Sequence, residues 1–170
     1  MLKNIETDLG KIQKLAKQNE KENWEFRSFL KGYYSSKKID EIVHGLFQEV
    51  SSKIDCTKCG NCCKVMKPVL TPKDIENFSG GFRIPVAQFK KEHLTEHKDE
   101  EGVTFKTLPC PLLKDMLCAQ YSYRPDACKS FPHLHKKDFV FRLMQIVENY
   151  SICPIVFNVY ENLKDELLAH

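Results

Sequence analysis

The chain has 170 residues, of which 42% are hydrophobic and 29% charged, and a formal charge of +3. That length fits one domain able to bury its own core, and the composition is that of a soluble globular protein rather than a disordered or fibrous one. No run approaches the roughly 18 apolar residues of a membrane span. The opening Met1-Leu-Lys-Asn-Ile-Glu-Thr-Asp has no apolar secretory region, so a cytoplasmic location is expected.

Residues 1–31 read as a helix, with Leu2, Ile5, Leu9, Ile12, Leu15 and Ala16 recurring at three and four and Trp24, Phe26, Phe29 and Leu30 extending the apolar load. Gly32 is placed to stop it. Ser35 or Ser36 can cap a second helix, whose stripe is Ile39, Ile42, Val43, Leu46, Phe47 and Val50. These helices are expected to form an extension, residues 1–53, packed on the remainder, residues 54–170, in one compact domain. A protein partner docking on residues 1–50 is the alternative use of these stripes.

A cysteine-rich loop follows from Asp55 to Lys67. Thr71-Pro72-Lys73-Asp74 then has the signature of a helix start, with Thr71 as cap and Pro72 in the first turn. Ser79-Gly80-Gly81 ends that helix, and Pro85 opens another through about Leu94. The polar stretch from His93 to Gly102, which includes Asp99-Glu100-Glu101, reads as a mobile, solvated loop. Val103 to Leu108 alternates like a strand. Pro111-Leu-Leu113 and Met116-Leu-Cys118-Ala read as a short hairpin turning at Lys114-Asp115. Arg124 to Pro132 reads as one helical turn between prolines, and Phe139 to Leu143 as a further strand. Cys153-Pro154 begins a last helix with Ile155, Val156, Val159, Leu163 and Leu167 on its stripe. The expected class is mainly α with a small β-hairpin, α+β, the helices packed around a Cys-rich metal-binding core.

The chemistry lies in eight cysteines: Cys56, Cys59, Cys62 and Cys63 within eight residues, then Cys110, Cys118, Cys128 and Cys153. In a reducing compartment that number favours metal ligation over the alternative of disulfides. A thiol pair two residues apart can grip one ion from a single turn, with Gly60 where positive φ would be needed. Adjacent Cys62 and Cys63 project differently, so one is assigned to each of two sites. One site would take Cys56, Cys59, one of Cys62 and Cys63, and Cys153. The other would take the remaining adjacent cysteine with Cys110, Cys118 and Cys128. Sulfur-only ligation suits both Zn2+ and an iron–sulfur centre. Cys56-x2-Cys59-x2-Cys62 shares the opening spacing of the bacterial ferredoxin run, but adjacent Cys63 departs from it.

A buried four-thiolate ion needs cations and N–H donors around it. Lys58, Lys64, Lys67, Arg124 and Lys129 lie near cysteines, and Arg124, with several fixed donors, is the favoured neighbour. His133-Leu-His135, read as extended, could aim two rings at an open metal position. Thiolates on bound metal would bring the formal charge close to neutral, so nucleic acid is not an expected partner. No phosphate-binding glycine loop, dinucleotide fingerprint, nucleophile elbow or HExxH is present.

Cys56-x2-Cys59-Gly-x-Cys62-Cys63, Leu70-x3-Asp74, Cys110-Pro-Leu-Leu, Cys118-x2-Tyr121 and Arg124-Pro125-x2-Cys128-x2-Phe131-Pro132 together resemble the YkgJ-type cysteine-cluster family, the CxxCxxCC family, over about residues 54–154. The resemblance implies a zinc- or iron-chelating domain. It directs attention to Tyr121, beside Arg124 and Lys129, as a residue supporting the centre. Flagellin lysine N-methylases carry a similar cluster thought to hold an iron–sulfur centre, which implies redox or radical chemistry in some relatives. This chain has no S-adenosylmethionine motif, so methylation is not carried over. The expected function is a metal-binding protein with one or two Cys-ligated zinc or iron centres. The alternatives are an iron- or iron–sulfur-dependent enzyme acting on a protein or peptide, and a metal-stabilised adaptor.

Overall fold

The computed structural model describes residues 4–98 and 101–168. Leu2, expected on the first stripe, and Asp99 and Glu100, read as part of the acidic loop, lie outside the described residues. Helix α1 is Leu9–Gln18, α2 Glu20–Tyr33 and α3 Ser36–Ser51. A 3-10 turn, Cys56–Lys58, precedes α4, Asn61–Val65, then come α5, Pro72–Phe82, and α6, Val86–His93. Strand β1, Leu94–Glu96, pairs antiparallel with β2, Val103–Phe105; β3, Leu113–Lys114, pairs antiparallel with β4, Leu117–Cys118. A 3-10 turn at Tyr121–Tyr123 leads to α7, Asp126–Ser130. Another, Phe139–Arg142, runs into α8, Leu143–Asn149, and α9 is Pro154–Leu168. The class is mainly α with small antiparallel hairpins. No helix among the described residues is long and apolar enough to cross a membrane.

The chain divides into two compact units, Met1–Asp55 with Pro132–His170, and Cys56–Phe131. In the first, α3 packs along α9, and α2 along α8. Ile39, Val43 and Val50 are sealed from solvent on α3, as are Val156, Val159 and Leu163 on α9. Each such side chain contributes about 1.5–3 kcal/mol on burial.

The single helix expected over 1–31 is two. Asp8 caps α1 by accepting from the Lys11 N–H at 2.9 Å. Asn19 leaves the helical region at φ −94°, ψ 8°, and its amide reaches the Tyr150 hydroxyl at 3.4 Å. Gly32 does not stop α2, which runs on to Tyr33 before Tyr34 turns extended. Phe139 to Leu143 is not a strand. The Asp40 carboxylate accepts from the N–H groups of Asp138, 2.7 Å, and Phe139, 2.9 Å. Those donors are the ones a helical start leaves unpaired, so Asp40 favours the 3-10 turn over extended backbone.

The second unit is built on Leu70, Ile75, Phe78, Phe89, Leu94, Phe105 and Leu112, with Cys110 and Cys118 packed against this cluster from half-buried positions. The start of α5 follows the sequence reading: the Thr71 hydroxyl accepts from the Asp74 N–H at 3.2 Å, while the Asp74 carboxylate accepts from the Thr71 N–H at 2.9 Å. Helix α5 passes through Gly80 and Gly81 and ends only when Arg83 turns left-handed, φ 57°. The stretch expected as a loop from His93 holds β1, whose Leu94 pairs with Phe105, and β2 stops at Phe105 rather than Leu108. In the β3–β4 hairpin the turn sits one residue later than expected. Asp115 and Met116 both take positive φ, 46° and 71°, as the two central residues of a tight right-twisted hairpin require.

Candidate metal centre

Four segments of the second unit carry its thiols. The 3-10 turn at Cys56 folds back on itself, with the N–H groups of Cys59 and Gly60 donating to the Cys56 carbonyl at 3.2 and 3.4 Å. Gly60 then adopts φ 59°, the left-handed conformation expected for it, and admits the chain to α4. Cys62 and Cys63 lie in α4. Its last turn leaves the Cys63 carbonyl in need of a donor, and the Cys110 N–H supplies it at 2.7 Å. Cys118 ends β4, which is closed by the Ala119 N–H donating to the Leu112 carbonyl at 2.7 Å. Cys128 is the middle residue of α7.

Cys63, Cys110, Cys118 and Cys128 are all half-buried, and each lies within electrostatic reach of the other three. Burial pushes the Cys128 thiol up to about 12, and charge on Cys63, Cys110 or Cys118 pushes it further the same way. Burial likewise lifts Cys110 to about 11 and raises Cys118. Cys63 goes the other way, to about 7, because the Cys62 thiol donates to it and the Arg124 guanidinium faces it.

Backbone N–H groups are aimed at two of these sulfurs. Those of Leu112 and Leu113 point at Cys110, and that of Gln120 points at Cys118. An N–H two residues on from a cysteine favours the thiolate and is the support a metal-bound sulfur needs.

Arg124 is the cation the cluster feels: its charge opposes the upward shift at Cys118 and Cys128 as well as acting on Cys63. It is held by its neighbour in the chain. The guanidinium carbon lies 3.4 Å from the centre of the Tyr121 ring, and Nε donates to the Tyr121 carbonyl at 3.0 Å. Stacking and this bond fix the planar group as they could not fix an ammonium. Lys129 instead carries its ammonium to within 3.8 Å of Asp126, on the exposed side of α7.

The remaining cysteines are placed differently. Cys56 is exposed and Cys59 half-buried on the turn before α4. Cys153 is buried in the other unit, where its N–H donates to the Asn149 carbonyl at 2.9 Å as α9 begins. The histidine pair also lies in that unit and is not extended, since His133 takes φ 63°. Burial, with Lys136, Arg142 and His135 beside it, holds His133 down at about 4, and His135 lies against the Phe47 ring. Such cationic surroundings oppose a metal ion there.

The sequence reading missed three supports of the thiol cluster: the N–H donors of Leu112, Leu113 and Gln120, the Cys63–Cys110 backbone bond, and the close approach of Gly60 to the Met116 backbone, which leaves no room for a Cβ. Only the first had a signal, in the residues that follow each cysteine. Among the described residues, no three His, Cys, Asp or Glu side chains are set as a ready-made metal shell. The donor chemistry nonetheless fits a soft divalent cation. Four thiols that repel one another as thiolates, two with N–H support and an arginine alongside, gain most from a positive charge in their midst.

A family described as "CxxCxxCC: Putative zinc- or iron-chelating domain" matches residues 55–154, well over half of the chain. No curated protein and no solved structure matches it.

Proposed function

Because the chain belongs to the CxxCxxCC family of zinc- or iron-chelating domains, we propose that it binds its metal through the thiolates of Cys63, Cys110, Cys118 and Cys128. The observation that carries this reading is that each of those four sulfurs, drawn from α4, the loop before β3, β4 and α7, feels the charge of the other three. Bound there, the ion would hold all four thiols deprotonated and tie distant segments of the second unit together. Leu112, Leu113 and Gln120 would donate to the ligating sulfurs, and Arg124 would offset the net negative charge of the four-thiolate shell. Both zinc and iron accept this donor set.

The test is anaerobic purification followed by elemental analysis and a visible spectrum. Zinc in a colourless protein identifies a zinc–thiolate centre. Iron with acid-labile sulfide and a brown colour identifies an iron–sulfur centre. Cys128→Ser is expected to remove metal from either, and the melting temperature should fall to that of the metal-free chain. Full metal content in Cys128→Ser would sink the assignment of these four ligands.

A further inference from the structure

We propose that Cys63 and Cys110 are a thiol–disulfide couple, which a peroxide closes in the metal-free chain. The Cys110 N–H donates to the Cys63 carbonyl at 2.7 Å. With standard backbone bond lengths, a single short N–H···O=C bond leaves the two Cα atoms about 5–6.5 Å apart, inside the roughly 4.4–6.8 Å that a disulfide spans. The bond joins two fixed segments. Cys63 lies in α4, and the Cys110 carbonyl accepts from the Leu113 N–H at 3.0 Å at the entry to β3. Both thiols are free and half-buried, so a small oxidant reaches them.

Cys62 is nearer in sequence and its thiol donates to Cys63. It is the poorer partner, because consecutive Cα atoms across a trans peptide are only about 3.8 Å apart. Bridging them would require α4 to unwind.

The chemistry balances with hydrogen peroxide as oxidant. The Cys63 thiolate attacks one peroxide oxygen, the O–O bond breaks, and hydroxide leaves, giving the sulfenic acid. The Cys110 thiol then attacks that sulfur. The S–S bond forms, the S–O bond breaks, and the hydroxyl leaves with the thiol proton as water. Two thiols and one peroxide become one disulfide and two waters, with two electrons passing from sulfur to the peroxide. On the ligand reading proposed above, the disulfide withdraws two of four donors, so the oxidised chain loads no metal until a reductant reopens it.

The experiment treats the full metal-free chain with about one equivalent of hydrogen peroxide, counts thiols, and maps the non-reduced tryptic digest. The expected result is a loss of two thiols per chain and a dominant crosslink joining residues 59–64 to residues 107–114, assigned by fragmentation to Cys63 and Cys110. Zinc uptake should vanish on oxidation and return with reductant. A crosslink to Cys118 or Cys128, or Cys63 driven to sulfinic acid while Cys110 stays reduced, overturns the proposal. Cys110→Ser should convert the disulfide product to over-oxidised Cys63, and the mapping of the unsubstituted chain decides the matter if that variant does not fold. The two readings fail separately. A reduced chain that takes up no zinc yet forms this crosslink refutes the metal centre alone, and one that takes up zinc yet forms no crosslink refutes the couple alone.

Discussion

Gly60 sits directly against the backbone of Met116. A Cβ built on Gly60 would lie 2.9 Å from both the Cα and the carbonyl oxygen of Met116. Backbone cannot move aside as a flexible side chain can. Gly60 also holds φ 59°, where a side chain is strained whatever the space. Gly60→Ala is therefore expected to cost about 1–3 kcal/mol from conformation alone, with the clash added. It should also separate the turn before α4 from the β3–β4 hairpin. A lower melting temperature together with reduced metal content checks this; an unchanged melt would mean that the turn tolerates a side chain.

Arg124→Lys preserves the charge and removes the planar stack on Tyr121 and the Nε bond to its carbonyl. The variant should bind zinc about tenfold more weakly in competition with a chromophoric chelator, while the metal-free melt stays within a degree or so of the unsubstituted chain. Equal affinity would return Arg124 to an ordinary surface role.

Asp40 acts on a turn almost a hundred residues away. Its carboxylate is the acceptor for two N–H groups, on Asp138 and Phe139. Asp40→Ala strands both donors and should lower unfolding free energy by about 1–3 kcal/mol. Urea titration reads this as a lower midpoint at unchanged slope.

His133 gives the first unit an acid sensitivity with a definite sign. Its folded pKa, about 4, lies below the ordinary value of 6.5, so the unfolded chain binds the extra proton first. The stabilising contribution is fully present above pH 6.5 and is lost as the pH falls through about 4. Asparagine tolerates the left-handed φ of this position. His133→Asn should therefore melt less steeply with falling pH between 6.5 and 4 than the unsubstituted chain. Parallel profiles for the two proteins would show that another group carries the acid loss.

The features legible in the sequence were those written within a few residues. Thr71 caps α5 with Asp74 in its first turn, and Gly60 follows a CxxC pair into a left-handed turn. The features that were hidden depend on distant partners. Phe139-Val140-Phe141 reads as a strand from its aromatic and β-branched residues, yet a carboxylate from α3 makes it helical. Leu94-Thr95-Glu96 looks like a loop until Phe105 gives it a register. Cysteine spacing likewise marks the donors without saying which sulfur faces which, because segments such as Cys118 and Cys128 meet Cys63 only after the hairpin and α7 have formed.

The order of residues in the first unit sets a timetable for biosynthesis. The cysteine-bearing unit is one continuous stretch, Cys56–Phe131, whereas the helical unit combines Met1–Asp55 with Pro132–His170. Helix α3, which packs on α9 and holds Val43 and Val50 buried, therefore leaves the ribosome more than a hundred residues before α9. At about 5–20 residues per second that interval lasts several seconds. The thiol-bearing unit is translated in full within that interval, while α3 still has apolar surface facing water. Chains truncated shortly after residue 131 and released from the ribosome should accordingly show protease resistance in the cysteine stretch and sensitivity in residues 1–50.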